Sequence, residues 1–111
     1  MMRTIWMNCL EIYTTLDGDI PFLRWLESFT DGNIRFRIKD RLDRVTLGNL
    51  GDYKVLQEGL SELRLSFGPG YRIYFSPIGN RTILLLCGGN KSTQQKDIQK
   101  AIFYWNDYLA R

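Results

Sequence analysis

The segments SELRLSF and YRIYFS, joined by GPG, constrain this chain most, because both alternate strictly and a slip of one residue would drive charge into a core. In the first, Leu63, Leu65 and Phe67 fall on one face and Glu62, Arg64 and Ser66 on the other. In the second, Tyr71, Ile73 and Phe75 oppose Arg72, Tyr74 and Ser76. Gly68, Pro69 and Gly70 fit a three-residue hairpin loop, which sets Phe67 opposite Tyr71, Ser66 opposite Arg72 and Arg64 opposite Tyr74. Facing residues share a side of a sheet. The apolar positions are therefore expected on one side, with Glu62, Arg64, Arg72 and Tyr74 together on an open side facing solvent, where substitution leaves the fold intact. Two neighbouring arginines repel unless something anionic lies between them. A phosphate fits that place, and so does Glu62 in a cross-strand salt network.

The rest of the chain supplies one further strand before this hairpin, one after it, and three helices. Residues 3 to 15 are rich in strand formers and end at the turn signal TTLDGD. DIPFLRWLESF reads as a helix opened by Asp19 and Pro21 with Leu23, Leu26 and Phe29 on one stripe. In DGNIRFRIKDRLDRVTLG, Asp31 caps a helix, Ile34, Ile38, Leu42 and Val45 recur at helical spacing, and Gly48 stops it. Its other face, with Arg35, Lys39, Asp40, Asp43 and Arg44, alternates in sign and reads as solvated or as a contact surface. LGNLGDYKVLQEG reads as a glycine-punctuated loop. RTILLLC is continuously apolar, as in a central strand covered on both sides. In CGGNKST, Gly88 and Gly89 let the backbone turn sharply and Lys91 stands before a last helix, STQQKDIQKAIFYWNDYL, opened by a Ser92–Gln95 capping box. Ile98, Ile102, Trp105 and Leu109 keep its apolar register. The order is β-α-α-β-β-β-α, and the class α+β.

With 111 residues the chain has room for one domain, and 15 aromatic residues argue for a packed core. No apolar run is as long as a membrane span and no signal peptide opens the chain, so a cytoplasmic, membrane-free protein is expected. Cys9 and Cys87 lie far apart in apolar segments and read as buried free thiols, not as a metal clamp. Histidine is absent, which removes the commonest zinc ligand and every histidine-based dyad, so neither metal nor cofactor is expected. Residues 1 to 58 hold 8 Lys/Arg against 9 Asp/Glu, and residues 59 to 111 hold 7 against 3. The cationic excess of the second half suggests an anionic partner such as nucleic acid.

The element order, the hairpin ELRLSFGPGYRIYF and the segment ILLLCGGNKSTQQKDIQKA together resemble the RelE/ParE superfamily of type II toxin–antitoxin toxins. Within it the chain is most similar to the phage-related addiction-module killer proteins of the HigB and RelE branch. The resemblance implies one domain over residues 1–111, a small twisted antiparallel sheet with two N-terminal helices on one side and a C-terminal helix, and ribosome-dependent cleavage of mRNA. It implies catalytic roles for Arg72 at the scissile phosphate, Arg64 in activating it and Lys91 near the leaving oxygen, with Glu62 a candidate proton acceptor where relatives carry lysine. Tyr74 is the candidate stacking platform, because Asp97 stands where relatives place an aromatic residue; Lys96 and Arg81 complete the expected RNA-binding set. The implied partners are the ribosome, mRNA and a cognate antitoxin, expected to be a helix-turn-helix protein from an adjacent gene. A ParE-like gyrase inhibitor and a binding module without activity are the alternatives.

Overall fold

In the computed structural model, which describes residues 8–57 and 59–111, strands and helices follow the order β1 (Cys9–Ile12), α1 (Pro21–Glu27), α2 (Gly32–Thr46), β2 (Tyr53–Gln57), β3 (Leu60–Arg64), β4 (Arg72–Ile78), β5 (Thr82–Gly89) and α3 (Gln94–Leu109). A single 3-10 turn, Lys91–Thr93, leads into α3. The class is α+β, with one five-stranded sheet in the order β1-β5-β4-β3-β2. The sheet is mixed: β2, β3, β4 and β5 are antiparallel neighbours, whereas β1 runs parallel to β5. The parallel pair corrects the expectation of a wholly antiparallel sheet. It arises because the α1–α2 crossover carries the chain from β1 to β2 at the opposite edge, and the antiparallel run β2–β3–β4–β5 then returns to lay β5 beside β1 in the same direction. β2 is a fourth strand after the helices, where glycines on either side made YKVLQ read as loop.

The helices start and stop for local reasons. Pro21 occupies the first turn of α1, where its missing N–H costs nothing, although Ile20 and not Asp19 is the capping residue. Asp19 instead pairs with Arg24 at 2.8 Å. Asp31 caps α2 by accepting from the Asn33 N–H at 2.9 Å, and Gly48, at φ 91°, follows its end. The cap before α3 lies two residues earlier than expected: Asn90 accepts from the N–H groups of Ser92 and Thr93, and the Thr93 hydroxyl accepts from the Asn90 N–H. α3 then continues from the end of that turn.

Both faces of the sheet are covered. Phe22 and Leu26 of α1 and Ile38, Leu42 and Val45 of α2 pack on Leu63, Leu65, Tyr71, Ile73, Phe75 and Leu85. On the opposite face, Ala101 and Trp105 of α3 pack on Leu60, Tyr74, Leu84, Leu86 and Cys87. A bulge in the β4–β5 ladder makes the second set possible. Tyr74 pairs with Cys87 and Phe75 with Leu85, so Leu86 is an extra residue on β5, and both Leu86 and Cys87 face α3. Cys87 is buried as expected, with burial pushing its thiol up to about 12, but Cys9 is exposed because β1 is an edge strand. Gly88 and Gly89 belong to β5 and make no turn. A Cβ on Gly88 would overlap the Trp25 ring, and one on Gly89 the Asp97 carboxylate, so these glycines admit α1 and α3 close to the strand.

Candidate functional site

The hairpin between β3 and β4 carries the site. Arg64 faces Arg72, Leu63 faces Ile73 and Glu62 faces Tyr74, and the Leu65 N–H donates to the Tyr71 carbonyl at 2.9 Å. The loop thus spans 66–70 and not 68–70, and the register is shifted by two residues from the three-residue loop expectation. A two-residue shift preserves the side of every residue, so Glu62, Arg64, Arg72 and Tyr74 do share a face. That face is not open. α3 lies across it, and the side chain of Glu62 has 0% exposure, that of Arg72 13% and that of Arg64 36%.

Within that enclosure Glu62 is the hub. Its Oε2 accepts from Arg64 Nε at 3.0 Å and its Oε1 from Gln94 Nε2 at 3.1 Å, while Arg72 Nε stands 3.7 Å from Oε1. Arg72 is anchored a second time, by donation from Nη1 to the Gly70 carbonyl at 2.7 Å. The salt network considered from sequence is therefore present, with Gln94 of α3 as a member that strand alternation gave no means of finding. A carboxylate with no accessible surface and several donors around it is not placed to take a proton from a substrate, so in this arrangement Glu62 orients the arginines. Tyr74 is likewise fully buried and offers no ring surface to a base, which corrects its expected stacking role. Burial first, and the Glu62 charge second, push its phenol well above the ordinary tyrosine range, and its hydroxyl makes no hydrogen bond among the described residues.

The third cation joins through the loop. The Lys91 N–H donates to the Pro69 carbonyl at 3.4 Å, and Gly70, at φ 78°, sits between the two cations. A Cβ there would come within 3.1 Å of Arg72 Nη1 and 3.2 Å of Lys91 Cβ. Lys91 is exposed and has no carboxylate within ion-pair distance among the described residues. Three cations against two buried carboxylates, Glu62 and the Asp97 that lies beside Gly89 opposite Arg72, leave this end of the sheet positive. Lys96 is exposed on the first turn of α3 and shares a shallow surface with Lys91. Arg81 does not join them. It lies in the β4–β5 turn at φ 66°, at the far end of the ladder from Arg72, about 20 Å away at the usual rise of a strand. Asp97, where relatives were expected to place an aromatic residue, is buried and accepts from the Thr93 hydroxyl at 2.5 Å.

The described residues hold no cluster of three or more His, Cys, Asp or Glu side chains suited to a metal, and no helix among them is long and apolar enough to cross a membrane. No protein-family model matches the chain. Over 92 residues it is 40% identical to a protein of Haemophilus influenzae (strain ATCC 51907 / DSM 11121 / KW20 / Rd) described as "Uncharacterized protein", a match covering 83% of this chain and 89% of that one.

Proposed function

This chain belongs to one family with that Haemophilus influenzae protein, and we propose that it acts as the toxin of a type II toxin–antitoxin module, a cytoplasmic endoribonuclease that cuts mRNA on the ribosome. The observation that carries this reading is the convergence of Arg64, Arg72 and Lys91 at one end of the sheet, in excess of the two carboxylates buried there, Glu62 and Asp97. In the proposed reaction the 2′-oxygen attacks the adjacent phosphorus, the P–O5′ bond breaks, and a 2′,3′-cyclic phosphate and a 5′-hydroxyl result. Arg72, hydrogen-bonded to the Gly70 carbonyl and within ion-pair distance of Glu62, meets the charge that develops on the phosphorane oxygens. Arg64 supplies a second donor to the same group, and Lys91 lies nearest the leaving oxygen. With Glu62 enclosed and no histidine in the chain, the proton transfers rely on a substrate already oriented by the ribosome. Such an activity requires an antitoxin that covers the cationic end, and a helix-turn-helix protein from the adjacent gene is the proposed partner.

The test is primer extension on mRNA from a translating extract given purified protein, beside a gyrase supercoiling assay. Codon-phased cleavage that needs ribosomes is expected, with Arg72→Ala slowing it about 10²–10³-fold by analogy with loss of one transition-state donor. Inhibition of supercoiling without RNA cleavage would assign the chain to the ParE-like alternative, and inactivity in both assays would leave a binding module.

A further inference from the structure

Beside the arginine pair lies a groove of about 340 Å³ between the second half of α2, the α2–β2 loop and the end of β3. Four arginines line it, Arg37, Arg41, Arg44 and Arg64, against the two acids Asp40 and Asp52. Arg41 is the most buried of the four. Only 8% of Arg41 is exposed, and its Nη2 donates to the Leu50 carbonyl at 2.5 Å and the Asp52 carbonyl at 3.2 Å. Those partners are neutral, and no carboxylate of the described residues comes within ion-pair distance of it. Burial, and then the neighbouring Arg44, depress its pKa, whereas the Asp52 charge opposes that shift least. Buried charges are normally paired, so this one leaves an anion to be supplied from outside. The loop is shaped around it: Gly51 stands at φ 60°, and a Cβ there would lie 2.8 Å from Arg41 Nη2. At the rim, the Arg37 guanidinium is held over the Phe67 ring at 4.0 Å, while Asp40 offsets Arg44 only through an exposed pair at 3.4 Å.

We propose that this groove is a second phosphate subsite, which grips the backbone of single-stranded RNA one or more nucleotides from the bond held at Arg64 and Arg72. The inference rests on the nuclease reading for its ligand, and Arg64, a member of both sites, provides the continuity. The test is fluorescence anisotropy with a short 2′-O-methyl RNA, which lacks the attacking hydroxyl and reports binding alone, titrated over a range of salt. Arg37→Ala and Arg44→Ala alter exposed residues and leave Arg41's loop contacts in place. Each phosphate contact they remove is expected to lower the slope of log K against log salt by about 0.7. Asp40→Asn is expected to bind more tightly than wild type, a gain that unfolding cannot mimic. An unchanged slope in both arginine variants, or no binding by wild type at low salt, overturns the subsite. Ribosome-dependent cleavage with such an unchanged slope would retain the nuclease reading and remove the groove; lowered slopes without cleavage would do the reverse.

Discussion

The two faces of the sheet are built on opposite terms. Under α1 and α2 the buried side chains are nearly all hydrocarbon or aromatic, with Leu63, Ile73, Phe75 and Leu85 as the centre. Under α3 the same strands bury Glu62, Tyr74 and Ser76 among Leu60, Leu84 and Leu86. The first face gains stability from area removed from water and asks little of geometry. The second depends on a carboxylate that is tolerable only while Arg64, Arg72 and Gln94 surround it. One face holds the fold together, and the other uses part of that stability to fix two cations.

Substitutions can separate these roles. The largest stability loss is expected on the hydrocarbon face, where Phe75→Ala should cost about 3–5 kcal/mol in urea unfolding. The remaining folded fraction should keep its arginine pair and, on the proposed nuclease reading, its rate of mRNA cleavage. On the other face Glu62→Ala should cost about 3 kcal/mol, the lower end for breaking a buried pair, because Arg64 reaches water. On the proposed nuclease reading, cleavage per folded molecule should fall with it, since Arg72 loses its ion-pair partner. If Glu62→Ala matches Phe75→Ala in stability and retains full cleavage, the contrast between the faces is wrong. Gly89→Ala should cost about 1–3 kcal/mol by driving α3 away from β5, and chemical denaturation would measure it.

The smallest effect is set by pH. Tyr13 and Tyr74 both belong to the α3 face. Burial, followed by the bond to Asp107, pushes Tyr13 up to about 12, and Tyr74 is raised as well. Because the fold favours their neutral forms, their contribution is complete below the ordinary tyrosine pKa near 10 and falls as pH climbs above it, that of Tyr13 being lost by about 12 and that of Tyr74 persisting further. Melting temperature should therefore decline above about pH 10, less steeply in Tyr13→Phe. A curve flat to pH 12 would contradict this reading.

How much of this was legible beforehand follows from what local patterns encode. Strict alternation fixed which residues of β3 and β4 share a side, and Asp31 with Gly48 marked the ends of α2. Alternation has a period of two, so it could not separate a three-residue loop from one of five, and Arg64 was set against Tyr74 instead of Arg72. Nor does a strand's own pattern say what will cover it. The charged positions looked solvent-facing, although the chain brings α3 back over them and supplies Gln94 from 32 residues away. Arg41 was hidden for the same reason: it sits among exposed charges in sequence, and its burial depends on the Gly51 loop folding over it.

The extra residue in β5 bears on how relatives of this chain should be aligned. Leu86 has no opposite number on β4, since the pairs run from Tyr74–Cys87 directly to Phe75–Leu85. A chain lacking this one position could keep every other rung of the ladder, with Arg72 still opposite Gly89 and Ile78 opposite Thr82. Length is thus slack by one residue at Leu86, where a gap between family members would signal a straightened strand and a missing leucine under α3. The same gap within Glu62 to Arg64 would turn the carboxylate or an arginine onto the hydrocarbon face.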